Sequence, residues 1–337
     1  MSSIRDVAKQ AGVSPATVSR ILNNNTLYKT TAETRERVLK AVADLNYKPL
    51  VRNTRQSPVI SSPQGMNVGC LLASTKGKYS DPFYLDILEG FETEFERLGG
   101  FVSFVRTEHD LENSGVLRAL LSAGLDGLVM MRPLSDALFT KLRGAIPHIV
   151  GIDTGHMPID NIEYDHPRVS RMAVEYLYGK GYRRIGFIGA GVGPATLKKS
   201  RRFRSWRETM TDLELEIRPE WIIDCEWDDA LCMRLLEKTY RTAGLPDAFY
   251  AASDLMAIAA MREFSLLGLK VPGDIAIIGM SNIEMSRYTN PPLTTIDVPT
   301  REMGIAAARA LAGRIRGDDT LPKRILLPSA LIERESV

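Results

Sequence analysis

The sequence is short of the residues that carry most enzyme and metal chemistry. Three cysteines, Cys70, Cys225 and Cys232, are scattered through 337 residues. An odd number at wide spacing excludes a disulfide framework and suits a reducing compartment. The four histidines, His109, His148, His156 and His166, form no H-E-x-x-H or similar ligand pattern, so no metal site is expected. No Ser-His-Asp, Cys-His or paired-carboxylate arrangement stands out, so no catalytic residue, no cofactor and no enzymatic activity are expected. A dinucleotide fingerprint is approached only at Gly189-Ala190-Gly191-Val192-Gly193-Pro194, where Pro194 takes the place of the third glycine. Long uncharged apolar runs are also missing, so no membrane span is expected. The opening Met1-Ser2-Ser3-Ile4-Arg5-Asp6 has no apolar core of a signal peptide, from which a cytoplasmic location is expected.

What remains is an ordinary globular composition, 44% hydrophobic and 25% charged, in a length that suits two or three domains. The charge is unevenly spread. Residues 1–56 carry ten Lys or Arg against four Asp or Glu, a net +6, which leaves −4 for the rest. A basic head on an acidic body points to a head that meets a polyanion.

The head reads as three short helices. Ile4, Val7, Ala8 and Ala11 form one apolar stripe behind Ser3, a candidate N-cap, and Gly12 sits where a helix end wants a left-handed residue. Ser14 then caps a second helix with Pro15 in its first position and Val18, Ile21 and Leu22 on its buried side. Thr30 and Glu33 can form a capping box for a third, with Val38, Leu39, Val42 and Leu45 inside. The short Ala11-Gly12-Val13-Ser14 connection suits a helix-turn-helix. Residues 50–66 lose this periodicity, hold Pro58, Pro63 and Gly65, and read as a linker.

From Asn67 onward, short apolar strands alternate with amphipathic helices. The strands are expected at Val68–Leu72, Phe101–Val105, Gly127–Met131, His148–Ile152, Ile185–Ile188, Phe249–Ala252 and Ile275–Ile278. Continuous apolar strands imply parallel sheets covered on both faces. Some 270 residues is long for one such sheet, so two lobes are expected, with ligands at the carboxyl ends of the strands. The fold class is α/β: a small all-α helix-turn-helix head and a two-lobed, doubly wound core.

The run Ile4-Arg5-Asp6-Val7-Ala8-Lys9-Gln10-Ala11-Gly12-Val13-Ser14-Pro15-Ala16-Thr17-Val18-Ser19-Arg20-Ile21-Leu22-Asn23 closely resembles the head of the lactose/galactose repressor (LacI/GalR) family. Leu45-Asn46-Tyr47-Lys48-Pro49, Ser80-Asp81-Pro82-Phe83-Tyr84, Gly181-Tyr182-Arg183-Arg184-Ile185-Gly186-Phe187-Ile188-Gly189, Ala252-Ser253-Asp254 and Pro291-Pro292-Leu293-Thr294-Thr295-Ile296 extend the likeness over nearly the whole chain. Within the family it is similar to the galactoside-repressor branch, that of the evolved β-galactosidase repressor.

The resemblance implies a nucleoid-associated repressor. Its second helix would enter the major groove of a palindromic operator, with Pro15, Ala16 and Arg20 towards the bases and Ser14, Thr17, Ser19, Asn23 and Tyr47 on phosphates. Arg20 can fork onto guanine. In the linker the position of the family's minor-groove leucine holds Gln56 and Leu50 replaces the usual polar residue after the proline, so the expectation is a weaker kink or a wedge from Leu50 or Val51, with Arg52 and Arg55 on phosphate.

The core is implied to have the periplasmic sugar-binding fold. The implied domains are a head at 1–49, a linker at 50–66 and a core at 67–337. Its first lobe would comprise 67–163 and 295–322, its second 164–294 and 323–337. The implied effector is a small sugar, a galactoside, with a purine effector, a corepressor mode or a cytosolic sugar sensor as alternatives. Its contacts would be Asp153, Tyr164, Arg202, Ser253 and Asp254, with Ser281 or Asn282 where many members have Asp-Asp. A homodimer is expected, without the tail helix that would make tetramers.

Overall fold

A computed structural model describes residues 4–15, 17–18, 31–45, 65–73, 81–155, 157–190 and 197–337. The chain divides into two compact units, Met1–Gln64 and Gly65–Val337. The expected linker and its hinge residues Leu50, Arg52, Arg55 and Gln56 lie outside the described residues, and Met66 already belongs to the first strand.

In the smaller unit, α1 (Ile4–Ala11) and α2 (Ala32–Asp44) flank a stretch whose backbone is helical at Pro15, Thr17 and Val18. Gly12 turns the chain at φ +65°, a conformation costly for any residue with a Cβ, and the Val13 N–H closes α1 onto the Ala8 carbonyl at 3.0 Å. Ser14 caps the next helix by accepting from the Thr17 N–H at 3.1 Å. Val7, Ala8, Ala11, Val18, Val38 and Ala41 form the core, with Val13, Val42 and Leu45 against it. Two expectations are corrected. The cap of α2 is Thr31, which accepts from the Thr34 N–H at 3.3 Å, one residue later than the expected Thr30–Glu33 box. Leu39 is 51% exposed because the stripe from Val38 runs on to Ala41 and Val42, one turn away, and leaves Leu39 on the outer face.

The larger unit alternates strands and helices. The first half runs β1 (Met66–Leu72), α3 (Pro82–Arg97), β2 (Gly100–Thr107), α4 (Ser114–Leu121), β3 (Gly127–Met130), α5 (Asp136–Ala145), β4 (His148–Ile152) and β5 (Asp160–Tyr164). The second runs α6 (His166–Gly179), β6 (Ile185–Gly189), α7 (Arg201–Asp212), β7 (Ile222–Asp224), α8 (Asp229–Thr242), β8 (Ala248–Ala251), α9 (Asp254–Leu266) and β9 (Ala276–Ser281). Then come β10 (Thr295–Asp297), α10 (Thr300–Ile315), β11 (Arg324–Leu327) and β12 (Ala330–Ile332).

These strands make two six-stranded sheets, ordered β11-β5-β4-β3-β1-β2 and β12-β10-β9-β8-β6-β7. Every pairing is parallel except β10 with β12. The chain therefore passes between lobes three times: after β5, after β10 and after β11. Two of these crossings come later than expected. Residues 295–297 stay in the second sheet, hydrogen-bonded to β9, and residues 324–327 stay in the first, hydrogen-bonded to β5. The apolar strands were visible in the sequence because both faces of each are covered: all four residues of β3 and all five of β6 are buried. Strand β5, Asp-Asn-Ile-Glu-Tyr, was not visible. Its buried polar groups are paired instead, Asp160 with Arg314 at 2.7 Å through both oxygens and Glu163 with Arg324.

The first lobe is held by α3 lying against α10. The two backbones meet at glycines: a Cβ on Gly90 would stand 2.3 Å from the Arg301 carbonyl oxygen, and one on Gly304 would stand 2.1 Å from that of Ile87. Because the obstruction is backbone, no side-chain rotation relieves it. Gly304→Ala is therefore expected to destabilise the core by about 1–3 kcal/mol, as overpacking does. A thermal melt of the full chain checks this, with Gly144→Ala, where a Cβ meets nothing within 4 Å, as the neutral control.

Candidate DNA-reading head and effector cleft

In the head, Ser14 and Pro15 are exposed and Thr17 is half-buried at the start of the second helix, the end expected to face base edges. The Ser14 hydroxyl also contacts that of Thr17 at 3.0 Å, so both belong to the cap. Ala16, Ser19, Arg20, Asn23 and Tyr47 lie outside the described residues.

The core has a cleft at the carboxyl ends of both sheets, and the backbone marks it. Five of the six described non-glycine residues with positive φ follow or end a strand there: Asp153 after β4, Glu226 and Trp227 after β7, Ser281 and Asn282 at β9. Such conformations cost about 1–3 kcal/mol each and concentrate where side chains must be aimed at a ligand.

Asp153 (φ 55°) is fixed by its N–H, which donates to the Ile162 carbonyl at 2.9 Å. Its Oδ1 accepts from His166 Nε2 at 2.7 Å and from Arg201 Nη2. Burial pushes this carboxyl up, but His166, Arg201 and Arg202 outweigh it and hold it below the ordinary carboxylate range. Burial holds the His166 imidazole below its ordinary value against the pull of Asp153, so at neutral pH it is a neutral ring donating from Nε2. Its Nδ1 is buried without a hydrogen-bond partner.

Arg202, in the first turn of α7, donates through Nε and Nη2 to the Tyr164 hydroxyl at 3.1 and 2.6 Å. Its guanidinium lies 5.6 Å from the centre of the Trp227 ring. Tyr84, on the first turn of α3, closes the same space, and burial pushes its hydroxyl up to about 12 against the opposing charge of Arg202. Asp81 caps α3 by accepting from the Phe83 N–H at 3.0 Å, and burial raises its carboxyl.

Of the seven residues expected to hold an effector, Asp153 and Arg202 are brought together in the cleft. Tyr164 was expected to offer its face to a sugar. It is 1% exposed, and the His166 ring covers it at 3.8 Å between centroids, so its part is to hold Arg202. Ser253 caps α9, accepting from the Met256 N–H at 3.3 Å. Asp254 is fully buried and turned inward. Its two oxygens accept from the Thr295 hydroxyl at 2.6 Å and the Ile283 N–H at 2.9 Å, which pins the β9–β10 connection. Ser281 is buried. The Asn282 amide is engaged on both sides, donating to Asp297 at 2.9 Å and accepting from Arg334 at 2.6 Å. Sequence reasoning missed Trp227, His166, Arg201 and Tyr84. Tyr84 stands in the quoted Asp81-Pro82-Phe83-Tyr84 run and could have been found there; Trp227 follows a strand too short to notice.

A helix-turn-helix unit followed by a two-lobed core with a polar cleft defines a ligand-sensing transcriptional regulator. The model of bacterial regulatory proteins of the lacI family matches residues 3–50, and that of the periplasmic binding protein-like domain matches residues 174–337. The chain is 33% identical to the HTH-type transcriptional repressor MelR of Bacillus subtilis (strain 168), over 100% of this chain and 97% of the relative. It is 31% identical to the HTH-type transcriptional repressor PurR of Aliivibrio salmonicida (strain LFI1238), over 100% and 99%. Among solved structures it is similar to the transcriptional regulator CelR–cellobiose complex (TM-score 0.72, 26% identity, 100% of both chains). It is also similar to the lac repressor dimer bound to operator and the anti-inducer ONPF (TM-score 0.71, 26% identity, 99% and 98%). The chain belongs to the lacI family of bacterial regulatory proteins, a family of transcriptional repressors, not enzymes. Among the described residues no helix is long and apolar enough to cross a membrane.

Asp254 generates a pH prediction. Burial raises its carboxyl from 3.8 to about 6. A group bound more tightly to its proton in the folded state stabilises the fold at low pH and loses that contribution as pH rises through the folded value. Between pH 4 and 6 the melting temperature of Asp254→Asn is therefore expected to fall less steeply with pH than that of the wild type. Parallel slopes in calorimetry would contradict this.

Proposed function

We propose that this chain is a sugar-responsive transcriptional repressor. Two copies form a homodimer whose heads take the half-sites of a palindromic operator, and a small sugar of the galactoside class in the core cleft releases it. The observation that carries the sugar reading is the meeting of Asp153 and Arg202 beside Trp227. A carboxylate acceptor, a forked donor and an aromatic face are what a polyol with one apolar face needs. The lac repressor dimer bound to operator and the CelR–cellobiose complex support the same reading from outside the chain. Full-length likeness to PurR repressors, at 31% identity, favours a purine as the second reading, with corepression as its mode.

Melting the full chain against galactosides, glucosides, pentoses and purines separates these. A ligand at about 100 times its dissociation constant stabilises the fold by about 2.7 kcal/mol. A shift with a sugar that is lost in Asp153→Ala supports the proposal; a shift with purines alone replaces the sugar by a purine. In the head, Arg20→Ala is expected to cost about 1–3 kcal/mol of discrimination between operator and scrambled DNA. Competition binding at fixed salt measures this, and full specificity in Arg20→Ala would refute the base-reading role.

A further inference from the structure

The cleft contains one contact that effector binding as described does not use. Arg201 stands on α7 of the second lobe, immediately before Arg202, and reaches across to the first lobe twice. Its Nη2 bonds Asp153 Oδ1 at the end of β4, and its Nη1 lies 3.6 Å from Glu163 Oε1 on β5. Behind it, Glu163 is 0% exposed and is held by Arg324 of β11, whose Nε lies 2.6 Å away, and by the Asn161 amide. Beside it, Asp153 keeps His166 of α6. Both carboxylates thus retain a partner when Arg201 leaves.

That redundancy distinguishes the contact from a structural ion pair. Breaking a buried pair ordinarily strands a charge. Here the guanidinium is 31% exposed and can pass to water, while Arg324 and Asn161 continue to satisfy Glu163 and His166 continues to satisfy Asp153. Among the described residues no donor is bonded to Asp153 Oδ2, so an effector hydroxyl can approach that oxygen while Oδ1 is still held.

We propose that Arg201 is a releasable clamp between the lobes, and that by occupying Asp153 Oδ1 it sets both how readily the cleft opens and how many hydroxyls Asp153 can accept. The proposal rests on the cleft being the effector site. It predicts that an effector with two adjacent hydroxyls reaches both Asp153 oxygens only by displacing the clamp.

The titratable and charged groups around Asp153 and His166 are Tyr164 from β5, Arg201 and Arg202 from α7 and Tyr84 from the start of α3, with Asp81 beside Tyr84 and the Glu163–Arg324 pair behind Arg201. Within this set Asp153 raises the His166 imidazole while Arg202 and Arg201 lower it. Replacing Arg201 by an uncharged residue leaves Asp153 to act on His166 with less opposition. In the full chain, labelled with 13C and 15N in histidine, the His166 ring is titrated by NMR, its signals assigned by their loss in His166→Gln. In Arg201→Met the midpoint is expected to rise, and in Arg201→Lys to stay at the wild-type value.

Hydrogen exchange is then followed at residues 153–155 and 201–204, with α3 and α10 as the folding control. Exchange is expected to be several-fold faster in Arg201→Met while the controls stay unchanged. An unmoved His166 midpoint overturns the bridge. A moved midpoint with unmoved exchange leaves a bridge that does not restrain the lobes and overturns the clamp. A change in the controls is resolved by Arg201→Lys, which keeps the charge and must restore both readouts for the proposal to stand. Neither measurement uses DNA or an effector, so this failure is distinct from failure of the repressor reading.

Discussion

The core depends on how a single carboxylate is shared. Asp153 is half-buried just after β4, in a left-handed conformation, and His166, Arg201 and Arg202 hold its carboxyl below the ordinary range against the cost of burial. All three come from the second lobe, and Arg202 crosses the same gap to Tyr164. The space between the lobes is therefore lined by charged groups of one lobe that are hydrogen-bonded by the other. Water or a ligand that enters must offer equivalent hydrogen bonds, because desolvated charge tolerates no unpaired interval. This gives a physical reason for the polyol proposed as effector: its hydroxyls can substitute for those contacts.

The two lobes differ in how they resist change. In the first, α3 and α10 approach until glycine backbones touch, and Arg314 ties the end of α10 to β5 through both oxygens of Asp160. Helix and sheet there are joined by both backbone contact and an ion pair. In the second, the strand ends facing the cleft carry Glu226, Trp227, Ser281 and Asn282 in left-handed backbone, and Asp254 holds the adjoining Ile283 and Thr295. Four of the five strained residues at the cleft thus lie on the lobe that supplies Arg201 and Arg202, and Asp153 faces them from the other.

The sequence disclosed elements where one physical rule dominates. Apolar strands such as Gly127–Met130 and Ile185–Gly189 are buried on both faces and announce themselves. Ser14 capping with Gly12 before it was legible because few residues suit those positions. Strand β5 was hidden because its buried side chains are polar, and their partners Arg314 and Arg324 lie some 150 residues onward. The site followed the same division. Asp153 and Arg202 follow from the family resemblance, and the structure brings them near each other. Tyr164 and Asp254 follow from it too, yet their neighbours turn them inward, and nothing local in the sequence encodes His166 over the Tyr164 ring. Arg201 was overlooked because its meaning arises only when α7 is brought to β4 and β5.

The three crossings between lobes also constrain how the protein is made. The middle strand pairs of the first sheet are complete by residue 164, but its edge strand β11 waits for residues 324–327. The second sheet waits longer. β12 pairs with β10, and Ser336 is fully buried, its hydroxyl donating to the Ile277 carbonyl at 2.6 Å and accepting from the Thr294 N–H at 2.9 Å. During synthesis, neither sheet can gain its last edge strand before that strand clears the ribosome exit. The head, whose described core draws on residues 7–45, is under no such delay. A nascent chain can therefore carry a folded head well before it has a finished sensor, which makes the interval before residue 336 emerges the one in which chaperones matter most.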